Sequence, residues 1–228
     1  MLGNLGRMAA EGAARVAEGK SEDKEAYEGM RGMFEAAKRM YIANNISKLK
    51  AEAMSPATHE KIFVAPTTDE DIPALKKFFE DEDYIKYLDA SKETTEMSDA
   101  EIEKCFVKKD DVVKFTLKKE SGEVIGSFSA TVRGKNTTQI EIGYSLGTAY
   151  QGKAYAGAAC KAICDEIVKI PEVKSFIAFY HKNNEKSGKK AKEIFEHLKE
   201  NDNSLKIEDG TVKKDGKKPV TRFVVIKK

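Results

Sequence analysis

The sequence has no tryptophan and only three cysteines, Cys105, Cys160 and Cys164. So few thiols, odd in number and with no secretory leader ahead of them, favour a reducing compartment, and a cytoplasmic location is expected. Cys160 and Cys164 stand four apart, a spacing that two metal ligands on one helix face would share. No histidine or further cysteine is near them in sequence, so they read as small buried hydrophobes, and no metal is expected. No apolar run approaches the ~18 residues of a membrane-spanning helix. The first twenty residues carry Arg7, Glu11 and Arg15 where a signal peptide needs an apolar stretch, so neither a leader nor a membrane partner is expected. Charge of one sign is also missing: 40 Lys+Arg face 38 Asp+Glu, for a net charge of +2. Such a balance sets up no strong field, and no nucleic-acid partner is expected. The C-terminal lysines (Lys213, Lys214, Lys217, Lys218, Lys227 and Lys228) read as solvated residues that blunt a sheet edge.

What is present suits one domain of ordinary size with an appendage. Hydrophobic residues make up 40% of the 228, with 11 Phe and 8 Tyr to build a core. Residues 1–58 differ from the rest: they are rich in Ala, Gly, Met and charge and show no strand-like alternation. Between residues 22 and 53, Ala26, Met30, Met33, Phe34, Ala37, Met40, Tyr41 and Ile46 recur at three- and four-residue steps, which predicts an amphipathic helix. Gly29 and Gly32 weaken it by up to ~1 kcal/mol each. This Met-rich extension is expected to pack on the domain or on a second copy as a homodimer, with the segment before Gly19 disordered. Ser55-Pro56 reads as the boundary, which leaves 59–228 as the main domain.

That domain opens with a strand over 61–65, then a helix capped by Thr67-Thr68-Asp69-Glu70-Asp71 and burying Ile72, Leu75, Phe78 and Phe79. A short helical piece covers 84–88, and Ser98-Asp99-Ala100-Glu101 reads as the capping box of a further helix that buries Ile102, Cys105 and Phe106. Strands over 112–118, 124–132 and 138–146 form an antiparallel meander through turns at 120–123 and 134–136. A helix over 153–170 ends before Pro171 and leads into an apolar strand, 174–180, parallel to 138–146. A helix over 188–200 and strands over 205–208 and 220–226 complete the chain.

The centre of this arrangement is the strand, glycine-containing turn and helix between Gln139 and Ile167. A helix that begins in small residues, as Gly152-Lys153-Ala154-Tyr155-Ala156-Gly157 does, presents unpaired N–H groups and the positive end of its dipole. That is an anion site, suited to a pyrophosphate. Neither GxxxxGK[ST] nor GxGxxG is present, so P-loop and dinucleotide readings do not apply. Instead, Glu141-Ile142-Gly143-Tyr144-Ser145-Leu146, followed by Tyr150-Gln151-Gly152-Lys153-Ala154-Tyr155-Ala156, resembles the acetyl-CoA motif of the GNAT N-acetyltransferases. Within that superfamily it is most similar to the branch of Rim-type ribosomal-protein N-terminal acetyltransferases. In the family pattern, Gln/Arg-x-x-Gly-x-Gly/Ala, Gln151 and Ala156 match. Ala154 stands where the family usually has Gly; it fits if the backbone there is already helical, and its methyl narrows the approach to the phosphates. Asn184-x-x-Ser187 resembles a second family element, while the family's ending after it is replaced by Phe195-Glu196-His197-Leu198-Lys199. The likeness covers about residues 60–228 and none of 1–58.

The resemblance implies an α+β fold: an αβα sandwich with a mixed, mostly antiparallel sheet of six to seven strands, a splayed parallel pair and flanking helices. It implies acetyl-CoA as co-substrate, held by Tyr144, Ser145, Leu146, Gln151, Gly152, Lys153, Ala154, Tyr155, Ala156 and Asn184. It also implies direct acetyl transfer to a primary amine, on a small molecule or a protein N-terminus, without a covalent enzyme intermediate. Read from the residues alone, Glu141 is a mid-strand carboxylate, either solvated or catalytic; the Rim-type enzymes have a carboxylate at this place, which makes it the candidate base. Such a group is needed because amines arrive mainly protonated, and a carboxylate can take the proton through a water. Ser187 is the first candidate to protonate the thiolate, as well as a candidate helix N-cap, and Tyr180 is the second. The oxyanion is expected on backbone N–H groups near 144–146. His181 is an alternative base; His59 and His197 carry no signal. A competing reading is a GNAT-like module that binds CoA weakly or not at all and acts through its N-terminal helix.

Overall fold

The computed structural model describes residues 7, 23–86, 98, 100, 106, 111–133, 138–181, 183–212 and 221–227. In chain order these form α1 (Asp23–Ile46), β1 (Ala51–Met54), β2 (Lys61–Pro66), α2 (Ile72–Lys77), α3 (Glu82–Ile85), β3 (Val112–Lys119), β4 (Val124–Arg133) and β5 (Gln139–Leu146). There follow α4 (Tyr155–Ile167), β6 (Ser175–His181), α5 (Glu185–Asn201), β7 (Lys206–Val212) and β8 (Thr221–Lys227). Short 3-10 turns flank α2 and precede α4. The expected meander is β3–β4–β5, and every neighbouring pair in the sheet is antiparallel except β5 and β6, which α4 joins as a crossover. The strand order is β1-β2-β3-β4-β5-β6-β8-β7. The architecture is the GNAT α+β one.

Alternation along the strands decides which side is apolar. Val64, Phe115, Leu117, Phe128, Ala130, Ile140, Ile142 and Phe176 share one face, all 4% exposed or less. Against it pack Ala159, Cys160, Ile163 and Ile167 of α4 and Ala191, Ile194, Phe195 and Leu198 of α5. Cys160 and Cys164 are fully buried, and burial pushes both thiols far above their ordinary values, so neither is a nucleophile. Among the described residues no group of three His, Cys, Asp or Glu side chains could hold a metal ion, and no helix is long and apolar enough to cross a membrane.

The opposite face is polar and is covered by α2 and α3. There Asp71, 3% exposed, meets the Lys118 ammonium and accepts the Thr68 N–H at 3.1 Å, closing the cap read from the sequence. Burial raises this carboxyl, but the bonds from Lys118, the Thr68 backbone and Thr116 outweigh it and hold the group below its usual value.

The sheet has eight strands, one more than expected, and the extra strand lies before the expected boundary at residue 58. Residues 51–54 pair with 61–64 as a hairpin. The strand escaped notice because it is four residues long, contains two alanines and a glutamate, and falls inside a helical pattern. The helix also ends earlier, at Ile46, and its buried face is not the Met-rich one. Ile42, Ala43 and Ile46 are 0–2% exposed and belong to the main core, whereas Met33 (66%), Met40 (53%) and Tyr41 (43%) are exposed. Positions 42, 43 and 46 centre on one direction of the helix, and 33 and 40 lie more than about 110° round from it. The helix expected from Ser98, the turn at 134–136 and the segment before Gly19 lie almost wholly outside the described residues, as do Tyr87 and Leu88.

Candidate active site

The parallel ladder between β5 and β6 runs from Gln139 and Ser175 to Ile142 and Ala178 and stops. Beyond it β5 continues to Leu146 bonded to β4, and β6 continues to His181 bonded to β8. Each strand follows its outer neighbour, and a gap opens between them. Backbone groups on a strand point alternately to the two sides. Thr138 O accepts the N–H groups of Lys174 and Ser175, while Gly147 N–H donates to Ile125 O. Even positions of β5 therefore face β6 and odd positions face β4. Tyr144 and Leu146 turn their N–H and C=O groups into the gap, and Ser145 does not. The Gln151 amide donates to Leu146 O at 3.3 Å, at the mouth of the gap.

The loop at that mouth has two residues at positive φ, Gly152 at 76° and Ala154 at 59°. Ala154 is left-handed (φ 59°, ψ 8°), not helical as its tolerance for a methyl suggested, and it is the N-cap of α4. This is the conformation that favours glycine; an L-residue bears a cost of ~1–2 kcal/mol there. The Gln151 N–H bonds to Thr148 O, which removes it from the expected anion cradle. The N–H groups of the first turn of α4 have no acceptor within the helix and remain at its open end. Lys153 is exposed beside them. Tyr155 is 1% exposed and its hydroxyl bonds to Glu60, so its side chain anchors the loop from behind. Lys119 lies between Glu60 (3.3 Å) and Glu123 (3.1 Å), and Tyr150 Oη donates to Glu123 at 2.7 Å. The Tyr150 and Lys119 bonds hold the Glu123 carboxyl below its ordinary value. Both ends of the loop are thus tied to the sheet.

Across the gap, Asn184 caps α5: its Oδ1 accepts the Ser187 N–H at 3.1 Å. The Asn-x-x-Ser spacing is the capping geometry itself, with Asn184, not Ser187, as N-cap. Tyr144 Oη donates to Ser187 O at 2.8 Å and lies 3.5 Å from Ser187 Oγ, which ties β5 to the first turn of α5. Burial pushes the Tyr144 phenol up, so it stays a neutral donor. Tyr180 lies on the same face; a Cβ on Gly188 would stand 2.5 Å from its ring, so ring and helix backbone are in contact. Glu141 projects from the other face of β5, on the last but one ladder pair before the gap. It is 27% exposed, and Oε2 accepts from Arg133 Nε at 2.8 Å, leaving Oε1 to meet a water. His181 accepts the Asn183 N–H on Nδ1 at 3.1 Å.

Residues 61–194, more than half of the chain, match the family model described as Acetyltransferase (GNAT) domain. The chain belongs to the GNAT acetyltransferase family. No curated protein matches its sequence. Among solved structures, a GNAT-family acetyltransferase from Bacillus anthracis superposes with a TM-score of 0.60 at 17% identity, over 78% of this chain and 98% of that one. The ribosomal L7/L12 alpha-N-protein acetyltransferase RimL, in complex with coenzyme A, gives 0.59 at 14% identity, over 75% and 96%. The aminoglycoside acetyltransferase AAC(6')-Ib, bound to coenzyme A and kanamycin, gives 0.58 at 14%, over 73% and 95%.

Within this GNAT domain the structure sets the elements read from the sequence around the gap, with displacements. Tyr144, Leu146 and the 152–156 loop meet at the gap, whereas Ser145 turns its side chain to the opposite face and its N–H to β4. The side-chain oxygen of Asn184 is occupied by its cap. Tyr144 Oη lies 3.5 Å from Ser187 Oγ, and the Tyr180 ring packs on the neighbouring Gly188. Sequence reasoning missed Arg133, Ser55 and the hydroxyls around Ser145. Arg133 and Glu141 are eight apart in sequence, and only the β4–β5 register, which opposes Thr131 to Glu141, brings them together.

Proposed function

We propose that this GNAT domain transfers the acetyl group of acetyl-CoA directly to a primary amine. The observation that carries the reading is the gap between β5 and β6, into which Tyr144 and Leu146 turn backbone groups that β6 does not pair, and which opens onto the N-terminus of α4. An amide-rich pantetheine arm can add hydrogen bonds along the gap, and a pyrophosphate can lie on the N–H groups from Gly152 to Ala156. Structural neighbours of the domain, RimL and AAC(6')-Ib, are complexes with coenzyme A, which supports the same co-substrate here.

In the proposed reaction the amine loses a proton to Glu141 through a water, and its nitrogen then forms a bond to the thioester carbonyl carbon. The oxyanion is held by the N–H groups of Tyr144 and Leu146, which open into the gap. The attached nitrogen then gives up its second proton to water. As the C–S bond breaks, the thiolate takes a proton from the Ser187 or Tyr144 hydroxyl, which is reprotonated from solvent, giving free CoA and the amide. Glu141 and the Ser187–Tyr144 pair lie on opposite faces of the sheet, so the proton leaves on one side and is supplied on the other. Tyr180, whose ring packs on Gly188 from the same face, is a further candidate to supply it.

The acceptor class spans those named for the neighbours: a protein N-terminus, an aminoglycoside and a polyamine. The test is thermal stabilisation by acetyl-CoA, followed by an acceptor-amine panel read by released thiol. A ligand at ~100 times its dissociation constant should add ~2.7 kcal/mol. No shift at millimolar acetyl-CoA would instead favour an interaction module without turnover.

A further inference from the structure

Three successive sets of seven residues in α1 repeat one pattern. Residues 26–32 read Ala-Tyr-Glu-Gly-Met-Arg-Gly, 33–39 Met-Phe-Glu-Ala-Ala-Lys-Arg and 40–46 Met-Tyr-Ile-Ala-Asn-Asn-Ile. The first place is Ala or Met, the second is always aromatic and the fourth is always Gly or Ala. First and fifth places alternate at steps of four and three, the 3.5-residue period of a helix whose seam meets another helix. The domain does not supply that second helix. It takes α1 from another side, through Ile42, Ala43 and Ile46, and leaves Met33, Met40 and Asn44 of the seam exposed. The helix also lies ahead of residue 61, where the family match begins.

The residues flanking the seam say how a partner would lie. In heptad terms the aromatic second place is e and the small fourth place is g. In a parallel pair each g faces the partner's e of the next heptad, so Gly29 meets Phe34 and Ala36 meets Tyr41 of the second copy. A small residue then stands opposite every large one. An antiparallel pair would set aromatic against aromatic on one flank and leave small residues facing each other on the other. A Cβ at Gly29 would have nothing within 4 Å, so no atom of the chain itself uses the space that glycine leaves, although glycine weakens a helix interior. Asn44 falls at an a place, where two amides meeting across the axis fix register and a two-stranded state at a cost in affinity. The charged Glu28, Arg31, Glu35, Lys38 and Arg39 all stand off the seam, so no like charges are brought together. We propose that α1 pairs with α1 of a second copy, parallel and in register, as a short two-stranded coiled coil that makes the protein a homodimer. Because the end of each helix is fixed in its own domain core, the seam is ordered before the copies meet, which lowers the cost of pairing.

Sedimentation of the full chain at tens of micromolar should give a dimer. Met33→Glu with Met40→Glu should give a monomer with the circular dichroism of the wild type, since both side chains are exposed. Arg31→Glu, off the seam, should remain dimeric. Gly29→Leu should raise the dimer dissociation constant about tenfold or more, the effect of overpacking one contact. Adding Phe34→Ala, which vacates the facing place, should make the dimer tighter than Gly29→Leu alone. A monomeric wild type, or a dimer that survives the two glutamates, overturns the proposal. Multiplying effects of Gly29→Leu and Phe34→Ala overturn it as well, because the two places would then not touch. Should the paired glutamates disturb folding, the Gly29 and Phe34 variants decide by themselves.

Discussion

The Ser55 hydroxyl donates a hydrogen bond of 2.7 Å to the Lys153 carbonyl, 98 residues further along the chain. Ser55 is fully buried, and its oxygen also accepts the N–H groups of Ala57 and Thr58 at 3.3 Å. The tip of the β1–β2 hairpin therefore holds the loop that is proposed to bind phosphate. The segment set apart by composition is built into the site.

Truncation should show this. Removing 1–58 deletes β1, Ser55 and the buried Ile42, Ala43 and Ile46. Each buried isoleucine contributes ~1.5–3 kcal/mol, a large part of an ordinary domain's net stability. The truncation should give insoluble or unfolded protein by circular dichroism; a folded 59–228 fragment with full acetyl-CoA affinity would refute the dependence. Ser55→Ala alone should cost ~1–3 kcal/mol, because the Lys153 carbonyl loses its donor.

Ala154→Gly relieves the left-handed conformation at φ 59°. The relief of ~1–2 kcal/mol is partly offset by glycine's extra freedom in the unfolded chain, for a net gain of about 0.5–1 kcal/mol. Calorimetric titration should find acetyl-CoA bound as tightly or more tightly. Weaker binding in a more stable protein would mean that the methyl is itself a coenzyme contact.

Glu141→Gln keeps the shape and removes the proton acceptor. The chemical step at pH 7 should fall ~10²–10⁴-fold, with coenzyme affinity unchanged. Raising the pH should restore part of the rate, since more of the amine then arrives neutral. Full activity at pH 7 would reduce Glu141 to an ion-pair partner of Arg133 and make His181 the next residue to test.

Tyr144→Phe and Ser187→Ala separate the two hydroxyls beside the proposed thiolate. Tyr144 also bonds to the Ser187 carbonyl, so its loss should lower both stability, by ~1 kcal/mol, and turnover. Ser187→Ala should lower turnover less, because the phenol can still supply the proton. Equal kcat in Tyr144→Phe and wild type would assign the protonation to Ser187, Tyr180 or water.

Asp71 gives a pH signature remote from the chemistry. Its carboxyl is held below the ordinary value of 3.8, so its contribution to stability is complete above that value and is lost as pH falls through the lower folded value. Asp71→Asn should therefore be less stable at pH 7 by on the order of 2 kcal/mol, and the difference from wild type should shrink in acid denaturation below about pH 4. A constant difference across that range would show that shape, not charge, is what the site needs.

The sequence by itself determined the order of the described elements from residue 61 onward, the parallel pair with its crossover helix, and the strand, turn and helix between 139 and 167. These rest on local chemistry: period-two alternation, helix caps, glycine at turns, and a run of small residues at a helix start. Only the tertiary structure decided where partners distant in sequence meet. A hairpin of four-residue pairing carries too weak a pattern to stand out from the helical one around it, so β1 and the bond from Ser55 to Lys153 were illegible. The left-handed Ala154 was equally hidden, because a residue type reports which φ it tolerates cheaply, not which φ the surrounding loop imposes. The same holds for which backbone groups open into the gap. That assignment depends on where the β5–β6 ladder ends, and it ends because each strand is held more completely by its outer neighbour, a balance of pairings that no single segment contains.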